Sequence, residues 1–107
     1  MDARPRRIQN YEQADGREPY AIWFSSIKHL PAGKKVAVRI DRAEDGNLGD
    51  HRFLGGGFGE LRINFGEGYR VYFGEDDDIL VLLLGGTKTT QDRDIATARV
   101  YWSDYNA

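Results

Sequence analysis

The sequence contains no cysteine. Disulfides and thiolate metal sites are therefore excluded. Long apolar runs are missing too. The stretch Ile79-Leu80-Val81-Leu82-Leu83-Leu84 is apolar throughout, but a membrane-spanning helix needs about 20 such residues. The first residues, Met1-Asp2-Ala3-Arg4-Pro5-Arg6-Arg7, carry charge and no apolar segment, so no secretory signal is expected. Histidine is scarce, at two residues, His29 and His51. A single domain over residues 1–107, not bound to a membrane and residing in the cytoplasm, is the expectation.

Charge of neither sign dominates. Fifteen Lys and Arg stand against 17 Asp and Glu, for a net charge of −2. That balance argues mildly against a general nucleic-acid binder. The charge is divided along the chain, however. Residues 1–42 hold nine basic and five acidic residues, and residues 43–107 hold six and twelve. A local basic surface remains compatible with the total, because electrostatics acts at short range.

The most informative stretch runs from Gly59 to Phe73. Leu61, Ile63 and Phe65 alternate with Glu60, Arg62 and Asn64; Tyr69, Val71 and Phe73 alternate with Arg70 and Tyr72. Period-two alternation with β-branched and aromatic residues marks half-buried strands. Gly66-Glu67-Gly68 reads as a three-residue hairpin loop. That loop opposes Phe65 to Tyr69, Asn64 to Arg70, and Arg62 to Tyr72. One face is then apolar, and the other carries Glu60, Arg62, Asn64, Arg70 and Tyr72. The polar face reads as an ordinary solvated sheet surface or as an anion-binding platform.

Ile8-Gln9-Asn10-Tyr11 reads as a first strand. Pro19 suits a first helical turn, and Tyr20, Trp23, Phe24, Ile27 and Leu30 form an apolar stripe at helical spacing. Pro31 and Gly33 separate this helix from a second over residues 34 to about 44, with Val36, Ala37, Ile40 and Ala43 inward. Lys35, Arg39 and Arg42 share its polar face. They form either a solvated face or a basic stripe for RNA phosphates. His51-Arg52-Phe53-Leu54 is a short extended piece. Gly55-Gly56-Gly57 lacks the Lys-Ser/Thr and following helix of a phosphate-binding loop. The apolar run 79–84 fits a central strand covered on both faces. Gly85-Gly86 relaxes or bulges it. Thr89-Thr90-Gln91-Asp92 has the form of a capping box. It opens a last helix with Ile95, Ala98 and Trp102 inward.

The element order is β-α-α-β-β-β-α. This is an α+β domain: an antiparallel meander plus an N-terminal strand, packed by a helical hairpin. The helical crossover permits parallel pairing of the first strand. His29 fits a helix end, and His51 lies in the loop before the sheet. Asp76, Asp77 and Asp78 read as a solvated turn, and Asp92 and Asp94 as helix N-terminal acids, so no metal site is expected.

The chain resembles the RelE/ParE superfamily of toxins, and within it the phage-derived, HigB-like addiction-module killer branch. The resemblance rests on Tyr11-Glu12 with Asp15-Gly16-Arg17, Pro19-Tyr20 with Trp23-Phe24, Arg39-Ile40 with Arg42, and Gly46-Asn47-Leu48-Gly49-Asp50. It continues through Glu60-Leu61-Arg62-Ile63, Phe65-Gly66-Glu67-Gly68-Tyr69-Arg70-Val71-Tyr72-Phe73, Leu82-Leu83-Leu84-Gly85-Gly86-Thr87-Lys88, Asp94-Ile95 and Tyr101-Trp102. Thr87 stands where the branch has Asp, and Arg52-Phe53 where it has Lys-Pro. Arg52 keeps the charge with a different geometry.

The resemblance implies a small RelE-like domain. It implies a metal-independent endoribonuclease, without cofactor, that cleaves mRNA on the ribosome. Its implied partners are the ribosome, mRNA and a cognate antitoxin, typically a helix-turn-helix protein. By motif match the catalytic role falls to Arg70, Arg62, Tyr72 and Lys88. RNA or ribosome binding falls to Lys35, Arg39, Arg42 and Arg52. A ParE-like inhibitor of DNA gyrase and an inactive antitoxin-binding relative share the resemblance and remain the alternatives.

Overall fold

The computed structural model describes residues 4–107. Of the charged N-terminal segment, Met1, Asp2 and Ala3 lie outside the described residues. Strand β1 spans Arg7–Asn10, helix α1 Pro19–Ser25 and helix α2 Leu30–Glu44. Strands β2 (His51–Gly55), β3 (Phe58–Ile63), β4 (Tyr69–Asp76) and β5 (Ile79–Thr87) follow. A 3₁₀ turn over Lys88–Thr90 leads into helix α3, Gln91–Tyr105. The described residues thus form an α+β domain with a five-stranded sheet and three α-helices. None of these helices is long and apolar enough to cross a membrane.

The sheet order is β1-β5-β4-β3-β2. Strand β1 runs parallel to β5, with Ile8 opposite Leu80, and the other pairs are antiparallel. The segment His51-Arg52-Phe53-Leu54, expected as a short extended piece, is an edge strand in register with β3: His51 opposes Leu61 and Arg52 opposes Glu60. Its alternation is poor because an edge strand exposes more of itself, which left it without a periodic signal.

The central hairpin has the expected faces and a different register. Ile63 opposes Tyr69, Arg62 opposes Arg70, and Glu60 opposes Tyr72. The connection therefore takes five residues, 64–68, and the pairing slips by two. A slip of two preserves every side chain's face, whereas a slip of one would invert it. Gly66 and Gly68 adopt left-handed backbone there, at φ 58° and 83°.

Both faces of the sheet are covered. On one, Leu61, Ile63, Val71, Phe73, Leu80 and Leu82 meet Tyr20 of α1 and Val36 and Ala43 of α2. On the other, Phe58, Tyr72, Val81 and Leu83 meet Tyr11 and Ala98, with Trp102 and Tyr101 of α3 packed alongside. The unbroken apolar run of β5 feeds both layers, as a central strand must. Its bulge lies opposite Tyr72 and Phe73, which oppose Leu84 and Leu82. Gly85 and Gly86 then serve close packing. A Cβ on Gly85 would lie 2.0 Å from the Trp23 ring, and one on Gly86 would lie 1.9 Å from the Asp94 carboxylate.

Helix α2 starts at Leu30, not at residue 34. Pro31 sits in its first turn, where a missing N–H costs no helical bond, so it opens the helix rather than breaking it. Leu30, assigned to the buried stripe by spacing, is 77% exposed. At the other end of the chain's acidic turn, Asp76 accepts the Tyr105 hydroxyl at 2.7 Å. Asp77 takes the left-handed conformation at φ 52°.

Candidate anion site on the α3 face

Cross-strand pairing arranges the polar side chains of the α3 face in two rows. The first runs Arg62, Arg70, Gly86 across β3, β4 and β5. The second runs Arg52, Glu60, Tyr72, Leu84 across β2 to β5. This is the expected polar face, and its centre is not solvated, while Arg52, Arg62 and Asn64 at its rim remain accessible. Glu60 and Tyr72 are fully buried, and Arg70 is 8% exposed. The 3₁₀ turn and the start of α3 cover it: Gln91 Nε2 donates to Glu60 Oε1 at 3.1 Å, and Thr90 Oγ1 to Asp94 Oδ2 at 2.5 Å. The reading of Glu60 as a surface charge is thus corrected. Period-two alternation reports which residues share a face, not whether a later helix closes over it.

The rows contain two satisfied ion pairs. Arg52 meets Glu60 at 3.1 Å, and Arg62 meets Asp50 at 2.9 Å. Asn64 also reaches Asp50, at 3.3 Å. Arg70 is different. Among the described residues no carboxylate lies within 4.0 Å of it; its Nη1 has the carbonyl of Tyr69 at 3.4 Å, and its Nε has no partner. A buried guanidinium without a counter-ion bears a desolvation cost of several kcal/mol, which an incoming anion would offset.

Lys88 approaches the same spot. Its N–H donates to the Gly68 carbonyl at 2.9 Å. A Cβ on Gly68 would lie 3.5 Å from Lys88 Cβ and 3.8 Å from Arg70 Nη1. Lys88 is exposed, and a cleft of about 380 Å³ runs on from it along Thr89, Gln91 and Arg93. Gly68 therefore brings Arg70 and Lys88 together without a side chain between them.

Tyr72 stands behind this pair. Its hydroxyl is enclosed and has no partner. Burial first, then the nearby charges of Glu60 and Asp94, push its ionisation well above the ordinary tyrosine range. It stays protonated at any physiological pH. Its ring stacks on Phe58 with centroids 6.5 Å apart, so stacking on an RNA base is closed to it here.

The other expected residues separate. Lys35, Arg39 and Arg42 lie on α2, across the sheet from Arg70. Arg39 donates to the carbonyls of Leu48 at 2.7 Å, Asp50 at 2.9 Å and, at shorter range, Arg62. It braces the loop before β2, which its type and spacing on a polar helix face did not reveal. Lys35 and Arg42 are exposed. His51 faces the α2 side with its partner Leu61, and His29 stacks on Phe65, so neither histidine reaches Arg70.

Gln91, Thr90 and Asp94 were not singled out for this site by the sequence. The glycine pair Gly85-Gly86 was the available signal, because a strand without side chains lets a helix terminus close in. No known family profile matches the chain, and no solved structure matches it. The chain is 47% identical over 79 residues to an uncharacterized protein of Haemophilus influenzae, an overlap of 73% of this chain and 80% of that protein. By that identity and coverage, the chain belongs to the same family as the Haemophilus influenzae protein.

Proposed function

We propose that this protein is the toxin of a toxin–antitoxin pair, a RelE-like, ribosome-dependent mRNA endonuclease. The observation that carries the reading is Arg70: a buried guanidinium with no carboxylate within 4.0 Å among the described residues, opening beside the exposed Lys88. The chain-long resemblance to HigB-like killers supports it. So does the order of elements, with an N-terminal strand joined by two helices to a meander.

Cleavage of RNA without a metal uses the 2′-OH as nucleophile. It gives its proton to solvent water as the O2′–P bond forms, and the P–O5′ bond breaks with the 5′ oxygen leaving protonated. Charge builds on the phosphate oxygens in between. In this reading Arg70 meets that charge, because its planar fork binds two oxygens at once. Lys88 donates to a phosphate oxygen or to the leaving 5′ oxygen. Tyr72, kept protonated, supplies packing behind Arg70 rather than a base. Arg62 is neutralised by Asp50 and acts on the platform's electrostatics. No histidine serves this face, which fits an enzyme whose in-line geometry comes from the ribosome holding the mRNA.

The test is primer extension on cellular mRNA after brief induction of wild type and Arg70→Met. New 5′ ends inside translated frames, absent with Arg70→Met, are expected. Growth arrest with intact mRNA and inhibited gyrase would overturn the reading in favour of a ParE-like inhibitor. Growth unaffected by folded protein would leave an inactive antitoxin-binding relative.

A further inference from the structure

We infer that Thr90 is a positioning residue of the anion site: its hydroxyl holds the Asp94 carboxylate off Arg70 and so keeps the guanidinium open to phosphate oxygens. Two opposite charges are enclosed here without meeting. Arg70 and Asp94 are each 8% exposed. Among the described residues, Asp94 has Arg93 as its ion-pair partner, and Arg70 has no carboxylate within 4.0 Å.

Cross-strand pairing makes the two charges neighbours. Arg70 on β4 opposes Gly86 on β5. Opposed side chains on one sheet face stand about 5 Å apart at Cβ. Gly86 has no side chain, and Asp94 fills its place from α3. A Cβ built on Gly86 would lie 1.9 Å from Asp94 Oδ2 and 3.1 Å from Thr90 Oγ1. The carboxylate therefore occupies the row position beside Arg70. Pairing would lower the cost of burying both charges, so their separation needs a restraint.

Thr90 supplies it. Its hydroxyl donates to Asp94 Oδ2 at 2.5 Å. That hydroxyl is itself fixed in place. The Thr87 N–H donates to Thr90 Oγ1 at 3.3 Å, and the Thr87 side chain accepts the Thr90 N–H, the reciprocal bonds of a capping box. The other carboxylate oxygen is held weakly: Arg93 Nε stands 3.9 Å from Asp94 Oδ1, and the Arg93 side chain is 77% exposed. One short hydrogen bond thus sets the direction of the carboxylate. Without it, Oδ2 would be a buried acceptor in want of a donor, and Arg70 Nε is a buried donor in want of an acceptor.

The inference rests on Arg70 receiving an anion, and two measurements on the whole chain keep the two claims apart. The first is titration calorimetry with inorganic phosphate. Thr90→Val keeps the side chain's shape, removes the hydroxyl and should bind phosphate about tenfold more weakly than wild type. Thr90→Ser restores the hydroxyl and should bind like wild type. Adding Asp94→Asn to Thr90→Val should return wild-type affinity, which a merely structural role for Thr90 would not allow. The second measurement is thermal melting without phosphate. Arg70→Met should raise the melting temperature in the wild-type background and lower it in Thr90→Val, because only there is Arg70 paired with Asp94. A shift of the same sign in both backgrounds would overturn the inference. So would unchanged phosphate affinity in Thr90→Val where Arg70→Met abolishes binding. Phosphate bound equally by wild type and Arg70→Met would refute the anion reading instead, and the sign of the melting shift would still decide the role of Thr90. If Thr90→Val does not fold, Asp94→Asn alone decides. Its amide oxygen still accepts from Thr90, and it should bind phosphate at least as tightly as wild type. Weaker binding would show that the Asp94 charge supports the site, and the inference would fall.

Discussion

Replacing Arg70 by methionine should make the protein more stable. Methionine keeps most of the buried stem and removes a guanidinium that is 8% exposed and, among the described residues, has no acid within 4.0 Å. An uncompensated buried ion costs several kcal/mol even after relaxation. Part of that is already relieved by the Tyr69 carbonyl at 3.4 Å and by Glu60 in the adjoining row. The net gain should be about 1–3 kcal/mol, which in a domain of this size raises the melting temperature by roughly 4–12 °C. Arg62→Met makes the informative contrast. Its charge is paired with Asp50 at a half-exposed site, so its removal should change stability by less than about 1 kcal/mol. The assay is thermal unfolding by circular dichroism at pH 7, with and without inorganic phosphate. Phosphate at ten times its dissociation constant should stabilise wild type by about 1.4 kcal/mol and leave Arg70→Met unshifted. A variant that melts several degrees below wild type would show Arg70 to be structural. An equal phosphate shift in both proteins would place anion binding elsewhere.

Arg39 should behave unlike its neighbours on α2: Arg39→Ala strands three carbonyls and should cost about 2–4 kcal/mol, while Lys35→Ala and Arg42→Ala should stay within about 0.5 kcal/mol. Urea titrations decide this, and equal midpoints for the three variants would remove Arg39 from its bracing role. Stability should also fall in alkali. Burial raises Tyr20 to about 12, and burial followed by the hydrogen bond to Asp104 raises Tyr11 to about 12, both from 10 in the unfolded chain. Their folded forms hold the proton more tightly, so their contribution is complete below pH 10. It is lost as pH rises from 10 through 12, by at most about 2.7 kcal/mol for Tyr20 and by less for Tyr11, whose hydroxyl meets the exposed Asp104 and is screened by solvent. Ellipticity followed together with tyrosinate absorbance would sink this if the tyrosines ionised near pH 10 in a still folded protein.

Much of the architecture was written locally. The apolar run of residues 79–84 announced a strand covered on both sides, and β5 lies between β1 and β4 with core on each face. Alternation assigned each side chain of residues 60–63 and 69–73 to the correct face, while Asn64 and Phe65 fall in the connection. A two-residue error in register left that assignment intact, because the side-chain period is two. Where α2 begins was less legible, since Pro31 serves equally to end one helix or to open the next.

Solvent access was decided only by the tertiary structure. Nothing local distinguishes Arg70 from Arg62, or Arg39 from Arg42. Arg62 is neutralised because β2, a strand with no periodic signal, brings Asp50 beside it. Arg39 is spent because the loop before β2 turns its carbonyls toward α2. Arg70 is left buried and unpaired because α3, arriving last in the chain, closes over Gly86 and turns Asp94 toward Thr90 instead. Periodicity is a property of neighbouring residues and determines faces. Burial and charge pairing arise from segments distant in sequence, and these determined which arginine is buried with no carboxylate within 4.0 Å among the described residues.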